Sequence, residues 1–84
     1  MNIRLEISEE LLDMNIEESE LPVRVRYCLL HGGIQTVREL IDLTEEEFLQ
    51  IRNLGQRQLD ITKKWLEENG LFFSSPYRTP YLPQ

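Results

Sequence analysis

Ile51-Arg52-Asn53-Leu54-Gly55-Gln56-Arg57-Gln58-Leu59 places an Asn-Leu-Gly turn between two stretches of helical pattern and follows it with a cation. This is the composition of a helix-hairpin-helix, in which a tight turn aims the first amides of the second helix, and a positive side chain, at a phosphate. Asn and Gly tolerate the left-handed or otherwise cramped dihedrals such a turn needs, and a residue without Cβ lets a nucleic-acid backbone come close. Turns of this composition also join helices that bind nothing, so the stretch fixes a local fold and only opens a function.

Downstream, Leu59, Thr62, Trp65 and Leu66 recur at helical spacing, which predicts a helix over about 56–68. Asn69-Gly70 should end it, with Leu71 folding back. Upstream, Thr44-Glu45-Glu46-Glu47 and Thr36-Val37-Arg38-Glu39 both have the Thr-x-x-Glu form in which a hydroxyl and a carboxylate satisfy free amides at a helix start. Short helices over about 45–52 and 37–42 follow. Pro22 suits the first turn of an earlier helix running to about His31, where Gly32-Gly33 stops it. On that helix Val23, Leu30 and one of Tyr27 or Cys28 are expected to face inward. Ser8 is a plausible N-cap for a first short helix carrying Leu11, Leu12 and Met14, and Asn15 to Glu20 reads as a loop.

The ends are less regular. Ile3, Leu5 and Ile7 alternate with polar neighbours, but a lone strand has no partner, so residues 1–10 are read as linker-like. From Phe72 to Gln84 the chain holds three prolines and four aromatics and cannot continue a helix. Either Phe72, with or without Phe73, packs on the core while the rest frays, or the segment is a polyproline-like peptide that docks on a partner.

With 84 residues the chain makes one small domain, able to bury about 60% of its unfolded surface. Its formal charge of -6, from 15 acidic and 9 basic residues, argues against a protein that coats nucleic acid non-specifically. Any DNA contact has to be local, with the acids of 6–20 and 45–47 on other faces. Cys28 is the only cysteine, which excludes an internal disulfide, and no Cys/His cluster has metal-ligand spacing, so neither a metal nor a cofactor is expected. The acidic start lacks the apolar run of a signal peptide and nothing reaches transmembrane length. These features predict a soluble, cytoplasmic protein with no membrane partner. With no heptad seam or apolar surface stripe, the expected state is a monomer. One His, one Cys and no Ser in a strained-turn motif leave nucleophilic catalysis without its parts, so a non-enzyme is expected.

Leu21-Pro22-Val23-Arg24, Tyr27-Cys28-Leu29, Gly33-Ile34-Gln35-Thr36, Leu40, Thr44-Glu45-Glu46, Ile51-Arg52-Asn53-Leu54-Gly55 and Gly70-Leu71 fall in one order at one spacing. Together they resemble the C-terminal domain of the bacterial RNA polymerase alpha subunit, over residues 11–71. The pairing of Val-Arg-x-x-x-Cys-Leu with Arg-Asn-Leu-Gly is more specific than either piece. The resemblance implies an all-α fold, a compact bundle of four to five short helices ending in a helix-hairpin-helix-like unit. It also implies minor-groove binding to A+T-rich promoter-upstream DNA, with an arginine in the narrow groove and the hairpin holding the adjacent backbone. Residue by residue, the groove arginine is Arg24, the hairpin asparagine and glycine are Asn53 and Gly55, and the hairpin lysine is replaced by Arg57, which keeps the charge. The implied partners are duplex DNA, transcription activators or sigma factor, and the rest of RNA polymerase if the sequence is a fragment.

Three DNA-face positions depart from the family. Tyr27 stands where an asparagine is usual, Leu30 where a basic residue is usual, and Gln58 where a serine follows the hairpin cation. Tyr27 and Gln58 remain candidate contact residues, but polar contacts are lost. Arg26, about 200 degrees round the helix from Arg24, can touch only the flank of a groove that Arg24 enters. The plainer readings are an Arg24–Glu20 ion pair, solvated Arg52 and Arg57, a buried Cys28, a His31 that complements its helix C-terminus, and a core Trp65 in place of a base-stacking one. Two other functions stay open. One is a protein-interaction module of the same fold that has lost DNA binding, and the other is a generic helix-hairpin-helix that binds duplexes without A+T preference.

Overall fold

In residues 9–75, which the computed structural model describes, two helices start at the predicted capping threonines, Thr36 and Thr44. Five α-helices follow one another: α1 Glu9–Leu12, α2 Val23–His31, α3 Val37–Ile41, α4 Glu45–Leu49 and α5 Gln56–Glu68. There is also one 3-10 turn, Ile16–Glu18. The expected Ser8 cap, most of the linker-like segment and the tail from Pro76 onward lie outside the described residues. Among the described residues no strand forms, only two isolated bridges, and the fold is the all-α bundle that the sequence predicts.

Thr44 and Glu47 make the full reciprocal cap, with Glu47 N–H donating to Thr44 Oγ1 (3.0 Å) and Thr44 N–H donating to Glu47 Oε1 (2.9 Å). Thr36 completes half of its own. Its Oγ1 accepts from Glu39 N–H, while the Glu39 carboxylate reaches one residue further back to Gln35 N–H at 2.7 Å. Both α2 and α5 end in the predicted glycine stop. Gly33 and Gly70 lie at φ 91° and 77°, and the next residue returns its N–H to the helix, Ile34 to Leu29 O and Leu71 to Leu66 O. α4 is shorter than predicted, because the backbone turns at Gln50 to Asn53 to build the hairpin.

The core is aliphatic around one aromatic. Ile16, Val25, Leu29, Val37, Leu40, Phe48, Leu59 and Leu66 are buried, as is Thr62, whose hydroxyl donates to Gln58 O at 2.8 Å. The 3-10 turn is the main addition to the sequence reading. Asn15 caps it, accepting from Glu17 N–H, and Ile16 is wholly buried inside what the sequence presents as a loop. Val37 N–H donates to Met14 O and Ile16 N–H to Gln35 O, which fastens the entry to this turn against the entry to α3.

Two inward assignments are corrected. Val23 is 68% exposed, and Val25 and Leu29 face the core instead. α2 carries apolar residues nearly all round, so its phase is set by the 3-10 turn packed against it. At the other end Phe72 is 67% exposed, while Phe73 is half-buried with its ring edge-on to Phe48 at 5.5 Å. In extended backbone, successive side chains point to opposite sides, so a choice between neighbours reverses the face. Ser74 then clasps the α3–α4 corner, its N–H donating to Leu43 O and its Oγ to Ile41 O, both at 2.9 Å.

The first and third helices are tied by charge. Arg38 Nη2 meets Glu9 Oε1 at 2.8 Å and Asp13 Oδ1 at 3.0 Å, and the bond from Glu9 first, then Asp13, raises the guanidinium above its ordinary pKa. All three side chains are well exposed, and such pairs contribute little to stability.

Candidate nucleic-acid interface

The turn that connects α4 to α5 is built on Asn53, the only described non-glycine residue at positive φ, 68°. An asparagine accepts that conformation because its short polar side chain bonds locally. Gly55, by contrast, has φ −123° and ψ −165°, an extended backbone open to any residue. A Cβ there would meet only Gln58 Oε1, at 3.6 Å. The cramped position of the hairpin is therefore Asn53, and Gly55 contributes openness.

Gln58, predicted as a DNA contact, also shapes this turn. Its Oε1 accepts from Gly55 N–H at 3.0 Å, closing the start of α5 by a side-chain-to-backbone bond. The Gly-x-x-Gln spacing carries that signal, since a Gln at the third helical position is the reaching partner of a capping box. Gly55 N–H is thereby filled. The first-turn N–H groups of Gln56, Arg57 and Gln58 have no acceptor within the helix, and α5 has no acid in its first turn. Arg57 is exposed beside them. Free amides, a helix N-terminus and a cation together favour an anion.

Arg24 is the second residue of α2 and is exposed. The Glu20 ion pair does not form, and among the described residues nothing holds its guanidinium. Arg26 behaves otherwise. It is half-buried, and its Nη1 donates to Glu17 O at 2.8 Å, which pins α2 to the 3-10 turn and withdraws this cation from the surface that Arg24 occupies. One turn beyond Arg24, Tyr27 is 63% exposed and packs on His31, with ring centroids 4.5 Å apart and planes at 48°. Arg24, Tyr27 and His31 follow at helical spacing along one face of α2.

The hairpin comes up against the end of this face. A Cβ on Gly32 would lie 3.2 Å from Ile51 Cγ2 and 3.3 Å from Cys28 O, so the approach depends on that glycine. Between the two elements lies an open cleft of about 650 Å³, walled by Tyr27 and His31 on α2 and by Gln50, Ile51, Arg52 and Asn53 on the hairpin. The structure thus brings Tyr27 and Asn53 to one cleft, while Gly55, Arg57 and Gln58 gather at the start of α5. Sequence reasoning does not foresee the cleft. The four-residue spacing of Tyr27 and His31 is its one visible sign.

Cys28 is half-buried at this cleft and Trp65 half-buried on the core. Among the described residues no group of three His, Cys, Asp or Glu side chains could hold a metal ion, and no helix is long and apolar enough to cross a membrane.

The chain is 49% identical over 63 residues to the DNA-directed RNA polymerase subunit alpha of Bacillus velezensis, a match covering 75% of this sequence and 20% of that relative. Residues 5–68 also match the family described as the C-terminal domain of the bacterial RNA polymerase alpha chain. On this match the protein belongs to the RNA polymerase alpha C-terminal domain family, a domain of transcription.

Proposed function

We propose that the domain binds the minor groove of A+T-rich promoter-upstream DNA and so tethers RNA polymerase near a promoter. Arg24 enters the groove, where negative potential is concentrated, and Asn53, Gly55 and Arg57 hold the adjacent backbone. The observation that carries this reading is the start of α5, which combines unfilled amides, no first-turn acid and Arg57 in a chain of net charge -6. An unpaired, exposed Arg24 on α2 adds to it. In this reading the domain is non-catalytic, and the polymerase reaction belongs to the larger assembly, in keeping with a match that covers only 20% of the alpha-subunit relative. Other faces, acidic at α4, would meet transcription activators or sigma factor.

A second reading is favoured by Tyr27, Leu30 and Gln58. An exposed aromatic, an apolar residue and an amide whose oxygen is already engaged replace polar contacts, which suits a protein-interaction module that no longer binds DNA. The test is an NMR titration with A+T-rich and G+C-rich duplexes at two salt concentrations, with Arg24→Ala in parallel. Shifts at Arg24, Asn53 and Gly55 that prefer A+T-rich DNA and vanish in the variant support groove binding. Equal shifts with both duplexes support a generic duplex binder. Absence of shifts at low salt, where electrostatic binding is strongest, sinks both and leaves the interaction module.

A further inference from the structure

The cleft between α2 and the hairpin differs from two other hollows on the described surface. One of those, about 170 Å³, is lined by Glu45, Glu67 and the Lys63 that pairs with Glu45, and the other, about 400 Å³, by Glu45 and Glu46. The α2–hairpin cleft has no acidic residue in its lining, although acids outnumber bases 15 to 9 in the chain. Its walls offer the exposed Tyr27 ring backed by His31, the amide side chains of Gln50 and Asn53, and the guanidinium of Arg52. Tyr27 is 63% exposed, yet its contact with His31 restrains the ring, so a flat partner loses little ring freedom in stacking on it.

From this juxtaposition we propose that the cleft is a site for an unpaired nucleotide of single-stranded DNA. The base stacks on Tyr27, its polar edge meets the Gln50 and Asn53 carboxamides, and its phosphate is held by Arg52. Aromatic side chains that stack bases, with cations that hold the backbone, are how unpaired strands are bound with little sequence preference, and amide side chains pair with the donor and acceptor edge of a base. Charge complementarity favours an anion here over an acidic hollow elsewhere. The site shares Asn53 with the duplex reading but uses none of Arg24, Gly55 or Arg57, so Arg24→Ala separates the two.

The experiment titrates the 84-residue protein, at low salt, with a short oligothymidylate and with an A+T-rich duplex, following backbone amides by NMR. The expected result is shifts at Tyr27, His31, Arg52 and Asn53 with the oligothymidylate. Tyr27→Ala weakens that affinity by about tenfold, the size of one lost base stack. Tyr27→Phe retains it, and Arg52→Ala, in an exposed turn, weakens it independently. Arg24→Ala leaves oligothymidylate binding unchanged whatever it does to the duplex. The proposal is overturned if the oligothymidylate moves no cleft amide, if its shifts centre on Arg24 and Arg57, or if folded Tyr27→Ala and Arg52→Ala bind it as the parent protein does.

Discussion

α4 and α5 begin only eleven residues apart, at Glu45 and Gln56, yet their first turns are opposites. α4 opens with Glu45, Glu46 and Glu47 behind a Thr44 that exchanges bonds with Glu47. Its Glu47 amide is capped from within, and its three carboxylates repel anions. α5 opens behind a glycine with no acid and with Arg57 in the first turn, and its one closing bond runs from Gly55 N–H to Gln58. Every helix start carries the same backbone dipole. The side chains of the first turn decide whether that dipole helps to close the fold or stays available to a phosphate.

Several substitutions would break or sharpen this contrast. The largest effect is expected from Phe48→Ala in α4, because Phe48 is wholly buried and meets Phe73 edge-on. It should cost about 3–5 kcal/mol, measured by urea denaturation, and for so small a domain that approaches global unfolding. Next is Asn53→Val, which forces a β-branched residue into the left-handed region at φ 68° and should cost about 1–2 kcal/mol. Asn53→Gly should hold the fold within about 0.5 kcal/mol, so the pair separates the turn's conformation from any DNA contact of the amide.

Thr44→Ala removes the cap of α4 and should cost about 1 kcal/mol of stability in the same denaturation assay, with no change in duplex affinity. The smallest stability effect belongs to Gly55→Ala. The backbone there is extended and a methyl would sit 3.6 Å from Gln58 Oε1, an ordinary contact that leaves room for the side chain. Stability should move by less than about 0.5 kcal/mol. Duplex affinity in the same variant should fall if the proposed binding mode holds, since that mode brings the DNA backbone against Gly55. Arg57→Ala, in parallel, should reduce the slope of log affinity against log salt by about one.

Much of this contrast is legible in the sequence. Thr44-x-x-Glu47 announces a cap, Asn69-Gly70-Leu71 announces a helix end, and the Asn-Leu-Gly turn announces a hairpin, because each rests on bonds between near neighbours. What stays hidden depends on packing between distant segments. The inward phase of α2 is set by the 3-10 turn, which has no strong signature beyond Asn15, so periodicity alone puts Val23 inside and misses Val25. Arg26 reads as a flanking cation, whereas in the fold Glu17 O claims it. In the site, Arg24, Asn53 and Arg57 are legible as residue types. That Asn53 takes the strained dihedral, that Gln58 closes the turn, and that Tyr27 shares a cleft with Arg52 emerge only in three dimensions.

The clasp at Ser74 has a consequence for how the protein is made. Its hydroxyl closes on Ile41 O, which lies 33 residues earlier. A nascent polypeptide that has left the ribosome only as far as Gly70 can already form α5, but the carbonyls of Ile41 and Leu43 still face water and the Phe48 ring lacks its edge-on neighbour. The α3–α4 corner is therefore sealed only once residues beyond α5 have emerged, and not by the helices alone.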